Sequence, residues 1–256
     1  MRLLLLSLST AICCTTLTAQ VGVEQMTQER MARPGRGMEG LKVEDDNGPF
    51  VPNTFIGSFR MEMHRFKGNV EDKDVTNLHY WSSSDKTLSQ LELPRTQGRT
   101  MKTLTDLKGK WSYTLVSDEK GKRTAMKSHK KKVTYTDEAG EKKPEITVTN
   151  ETRTIEGHTC TKVIAKSENG LWTGWVTKDI NIPFSDMIQG VSGPRRNDDA
   201  RQWKDVQGFP LEYEWVYNNG TDKMVVYVKD LKPGPMENSV FSLDGYEVME
   251  MPSFGR

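Results

Sequence analysis

Cysteine is nearly missing from this chain, with only Cys13, Cys14 and Cys160 among 256 residues. The first two lie in an N-terminal stretch that reads as a removable signal. Arg2 gives a short positive start, Leu3 to Ile12 is apolar, and Ala19 is small enough to precede a cut. Leu17 is bulkier than the usual residue two places earlier, which blurs the exact bond. Neither Cys13, preceded by Thr-Ala-Ile, nor Cys14, preceded by Ala-Ile-Cys, follows the leucine and small residues of a lipid-attachment site. Cleavage near Ala19 leaves Cys160 alone, and one thiol cannot close an internal disulfide. The expectation is an exported periplasmic or extracellular protein held together by its core.

Long apolar runs are also missing. Leu3 to Ile12 is too short to span a bilayer and nothing later approaches that length, so no transmembrane segment is expected. Nor is there an excess of one charge. Lys and Arg total 36 against 35 Asp and Glu, and loss of Arg2 with residues 1–19 leaves 35 against 35. A neutral chain has no overall field steering it to nucleic acid. The basic run Lys120 to Lys132 lacks the interleaved aromatics that would stack on bases, and reads as a lysine-protected hairpin edge.

Catalytic signatures are absent too: there is no G-x-S-x-G elbow, H-E-x-x-H pair or P-loop. Three S-x-x-K matches, at Ser83–Lys86, Ser117–Lys120 and Ser128–Lys131, fall in strand-like sequence without companion motifs. A literal G-x-G-x-x-G at Gly35, Gly37 and Gly40 has neither the preceding strand nor the following helix that phosphate binding needs. No catalytic residue and no cofactor are expected.

What the chain does have is alternation. Residues 20–52 are rich in Gly, Pro, Arg and Glu and read as a flexible leader, and a single β-rich domain is expected over 53–256. Phe55, Phe59, Met61 and Met63 share one strand face, with Arg60, Glu62 and His64 on the other. Strands are expected at 75–82, 86–93, 99–107, 111–117, 123–127 and 131–136, then a three-strand meander over Glu145–Phe184. Glu156-Gly157 and Asn169-Gly170 divide that meander, and Asn-Gly predicts a type I′ turn at the second. Ser185–Gln207 is irregular, with a short helix at Asp198–Val206 that turns Trp203 inward. Leu211, Tyr213, Trp215 and Tyr217 then alternate, Asn219-Gly220 turns the chain, and a last element covers Val240–Met251.

Some side chains invite a metal. His158 and Cys160 are two apart on a strand, and Met61, Met63 and His64 or Met249 and Met251 suggest a soft ion. No further paired ligands accompany them, and the spacing is what a buried strand face requires anyway. A structural Cys160 and an apolar methionine face are the favoured readings, with metal binding the lesser alternative.

The segment Thr154-Ile155-Glu156-Gly157-His158-Thr159-Cys160-Thr161-Lys162 resembles the T-I-x-G-Y-x-C-x-K motif of a family of secreted β-rich proteins, domain of unknown function 4412. Trp175-Val176-Thr177-Lys178-Asp179-Ile180 is similar to that family's W-V-T-x-x-I strand, and Phe241 to Tyr246 to its closing turn. His158 stands where the family has tyrosine, and Leu243-Asp244 lacks its proline. The resemblance implies a mainly β fold of the LolA and LppX type: a curved antiparallel sheet forming a half-open barrel, with short helical segments as a lid. It implies a lipid, acyl chain or lipoprotein as partner. On that fold the inward faces include Phe59, Met61, Trp175, Tyr213 and Trp215, with Trp203 on the lid. The alternative is an envelope interaction module with a filled core that binds another protein.

Overall fold

The computed structural model describes residues 41–92, 101–118, 120–135, 143–180, 182 and 206–251. In chain order the strands are β1 (Leu41–Asp45), β2 (Gly57–Lys67), β3 (Val70–Glu71), β4 (Thr76–Ser82), β5 (Lys86–Glu92), β6 (Met101–Asp106), β7 (Trp111–Ser117) and β8 (Arg123–His129). They continue as β9 (Lys131–Tyr135), β10 (Glu145–Ile155), β11 (His158–Ser167), β12 (Gly170–Thr177), β13 (Phe209–Tyr217), β14 (Lys223–Pro233) and β15 (Glu247–Glu250). A short 3-10 turn covers Asn238–Phe241.

Among the described residues, β1 and β9 make a small ribbon and the other thirteen strands make one sheet. Its path runs β10-β11-β12-β13-β14-β2-β4-β5-β6-β7-β8-β15, with β3 beside β2. Neighbours are antiparallel except β15, which lies parallel to β8. The path does not return on itself, so the fold is a large antiparallel sheet not closed into a barrel.

Side-chain alternation positions the core. On β2 and β13, Phe59, Met61, Leu211, Tyr213 and Trp215 are buried and the residues between them are not, as a period of two demands. They join Val163, Trp172, Val226, Leu78 and Tyr80 in one cluster across β11, β12, β14 and β4. A second cluster joins Leu88, Leu104, Leu115 and Ala125 of β5–β8 to Phe241, with Met236, Leu243 and Tyr246 packed on it. Trp81 pairs with Leu88, and Leu88 with Leu104, so this second cluster occupies the face opposite Tyr80. The sheet therefore changes its buried side between β4 and β5.

The turns differ from the expectation in one respect. Glu156 and Gly157 both take positive φ, 48° and 81°, in the two-residue loop joining Ile155 to His158, which is the type I′ signature. At the other hairpin the loop is Glu168-Asn169, and Gly170 is already the strand partner of Ser167 and Tyr217. Gly170 is glycine because a Cβ there would lie 2.2 Å from the Val216 carbonyl oxygen, at a φ of 151°. The close approach of β13 thus explains the Asn-Gly pair. β1 lies inside the stretch read as leader, and Ser185–Gln207, read as a lid with Trp203, lies outside the described residues except for Val206 and Gln207.

Asp46, just past β1, ties the ribbon to the sheet. Its carboxylate accepts from Lys130 Nζ at 2.5 Å, from the Gly48 amide at 3.1 Å and from Lys110 Nζ at 3.3 Å. The Lys130 hydrogen bond leads in holding its pKa at about 2, below the usual 3.8. A carboxylate with a lowered folded pKa stabilises the fold above its unfolded value, and that contribution fades as pH falls through the folded one. Asp46→Asn is expected to lower stability by about 1–2 kcal/mol at pH 7 and by almost nothing near pH 2, measured by denaturant unfolding at both pH values.

Candidate ligand-binding face

The buried face of the first half of the sheet is built around aromatic rings. Phe59 of β2 stacks on Tyr80 of β4 with centroids 5.0 Å apart, and meets Phe209 at 5.4 Å and Phe55 at 5.9 Å. Trp172 and Tyr213 lie 6.0 Å apart on neighbouring strands. Gly174 makes room for this arrangement, since a Cβ there would meet the Trp172 ring at 2.2 Å. A glycine inside a strand signals such a close approach, and it was the available clue to this packing.

Four of the expected ligand-lining residues come together here. Phe59, Met61, Tyr213 and Trp215 share the face and are only 2–4% exposed, so their neighbours already cover most of their surface. Accessible apolar surface lies further along the same face. Leu91 follows Leu78, Met101 follows Leu91, and Val116 follows Met101 in cross-strand register. Beyond them Met249 pairs with Met126. Met101, Val116 and Met249 are 37–50% exposed. Met249 was read from the sequence as part of an apolar methionine face, whereas Met101 and Val116 escaped because β6 and β7 carry Thr and Ser between their apolar residues.

Trp175 packs against the same cluster but does not share the face of the other four. Its partners are Lys162 and Glu212, whereas Trp172 pairs with Trp215, so Trp175 projects from the opposite face. There the Arg153 guanidinium lies 4.2 Å over its ring while reaching Glu212 Oε2 at 2.6 Å. This stacked ion pair is a half-buried brace across β10, β12 and β13. Trp203 lies outside the described residues.

The metal candidates do not converge. Met61 and Met63 are on one face of β2 and His64 on the other, where His64 Nδ1 sits 2.6 Å from Glu71. His158 turns to Asp179 at 3.2 Å, while the Cys160 thiol donates to the His158 carbonyl at 3.6 Å. Among the described residues no group of three or more His, Cys, Asp and Glu could hold a metal ion. No helix among them is long and apolar enough to cross a membrane.

A large open antiparallel sheet with an aromatic buried face defines the class of protein. The chain belongs to the family described as Domain of unknown function (DUF4412), whose profile matches residues 55–245. No curated protein matches it. Among solved structures it is similar to PNGF-II in space group C2, at 15% identity and a TM-score of 0.38, over 77% of this chain and 31% of that one. The chain therefore spans about a third of the length of PNGF-II. A DUF1329 family protein from Desulfovibrio piger matches at 9% identity and a TM-score of 0.32, over 76% of this chain and 92% of that one. The Mycobacterium tuberculosis lipoprotein LppX matches at 10% and 0.32, over 71% and 89%.

Cys160 is fully buried, and burial pushes its thiol pKa up, against a smaller opposing pull from Arg153. The thiolate is the reactive form, so both effects of burial slow its chemistry. Alkylation of the native protein at pH 8 is expected to run at least about tenfold slower than in the denatured chain, measured by intact mass over time. Equal rates would contradict a structural role for this residue.

Proposed function

We propose that this is a non-enzymatic, exported envelope protein that holds a hydrophobic ligand, an acyl chain or lipid or lipoprotein tail, on the apolar face of its open sheet. The observation that carries this reading is the continuity of that face: the aromatic cluster of β2, β4 and β11–β14 passes through Leu91 into the exposed Met101 and Val116, with the exposed Met249 one row over beside Met126. Phe59, Met61, Tyr213 and Trp215 form the floor of the proposed site, and Trp203 is proposed to close over it. Methionine and aromatic side chains suit varied chains because they fill irregular gaps. Each buried methylene contributes about 0.8 kcal/mol, so roughly ten of them exceed the lower estimates of the association cost.

Native mass spectrometry of protein purified from its own envelope is expected to show a co-purifying lipid. Titration with a fluorescent fatty acid is expected to saturate and to quench tryptophan. Met101→Glu and Trp203→Ala should each weaken binding about tenfold, while Trp175→Ala, on the other face, should leave it unchanged. A second reading is favoured by the 2–4% exposure of the four floor residues: an interaction module whose interior is filled by its own side chains. Absence of both a lipid mass and saturable quenching would leave that reading standing. Export itself is checked by N-terminal sequencing, with Gln20 expected as the first residue and acylation at Cys13 or Cys14 as the contrary result.

A further inference from the structure

Beyond the exposed methionines, the same face of β5, β6 and β7 is made of hydroxyls. Cross-strand register carries Tyr80 to Ser89, then Thr103, then Thr114. The next row carries Ser82 to Thr87, then Thr105, then Ser112. Directly paired residues point to the same side of a sheet, so these six hydroxyl side chains form a patch three strands wide. All six are half-buried. With the adjoining row of Leu91, Met101 and Val116, the patch contains no ionisable group, in a chain of which 28% is charged.

Strand propensity favours threonine but does not explain this segregation. The opposite face of these strands carries Lys86, paired with Asp106, and Gln90, paired with Lys102, beside its buried leucines. Charge is thus admitted on one side of β5 and β6 and absent from the other. A carboxylate, phosphate or ammonium set on the hydroxyl patch would give up hydration with no countercharge to replace it. Ester carbonyls and neutral hydroxyls are matched, because Ser and Thr both donate and accept.

We infer that this patch receives the polar end of an acylglycerol, an acyl chain ending in an uncharged glycerol ester. The inference rests on the carrier reading: the chain lies along the apolar row and the glycerol end on the hydroxyl rows beside it.

The test is competition for a bound fluorescent fatty acid by three ten-carbon amphiphiles, monodecanoylglycerol, decanoate and decyltrimethylammonium. The mature chain is used at pH 8, below each micelle concentration. The acylglycerol is expected to bind at least about tenfold more tightly than either charged probe, the equivalent of one or two hydrogen bonds. Thr103→Val with Thr114→Val keeps shape and strand preference but removes two hydroxyls. It should bring the three probes to within about threefold of one another, whereas Thr103→Ser with Thr114→Ser should retain the preference. Equal affinities in the parent, or a preference that survives the valine pair or is lost in the serine pair, would overturn the inference while leaving the carrier reading intact. Failure of every probe, the fluorescent fatty acid included, would overturn both.

Discussion

Everything in this molecule depends on the rule that adjacent residues of a strand point to opposite sides, together with hydrogen-bonded register that carries one side unbroken from strand to strand. Tyr80 and Trp81 are the place where that rule does most. Tyr80 belongs to the aromatic cluster with Phe59, and Trp81, its neighbour in the chain, belongs to the cluster with Leu88 and Phe241. One continuous sheet thus feeds two cores on opposite faces. The face that leaves the first core is not discarded at β5 but continues as the methionine row and the hydroxyl rows.

The covering segment makes this possible. Residues Met236 to Tyr246 pack on β5–β8 from the side opposite the aromatic cluster, and β15 then runs parallel to β8. Because this segment buries Leu88, Leu104 and Leu115, the reverse side of those strands is released from any duty to the interior. Lys127 over the Trp111 ring at 3.7 Å, paired with Glu250 at 3.0 Å, fastens that arrangement at its border.

Most of this was legible in the residues, because period-two alternation survives wherever a face is buried. β7 was read at its observed bounds, and of Phe59, Met61, Trp175, Tyr213 and Trp215, read as inward-facing, all but Trp175 share one buried face. Trp175 shows where such reading stops. It is three residues from Trp172, an odd spacing that puts the two tryptophans on opposite sides, and their shared aromaticity concealed that parity. Asn169-Gly170 was misleading for another reason, since its glycine answers to the Val216 carbonyl of a strand some forty residues away. The change of buried side at β4–β5 was not legible at all. Alternation says that one side is covered but not which, and only the pairing of Trp81 with Leu88 decides it.

The end of the sheet at β10 has a consequence for self-association. β10 is eleven residues long and borders only β11 in the described sheet, which makes it the natural template for an unwanted neighbour. Its pairing register shifts between Val148 and Thr152, so the backbone groups of its two halves are out of step with any single straight partner. An incoming strand could match four residues and then lose its rungs. The irregularity that breaks the ladder inside the molecule thereby stops it from being copied outside, and the sheet can stay open without polymerising.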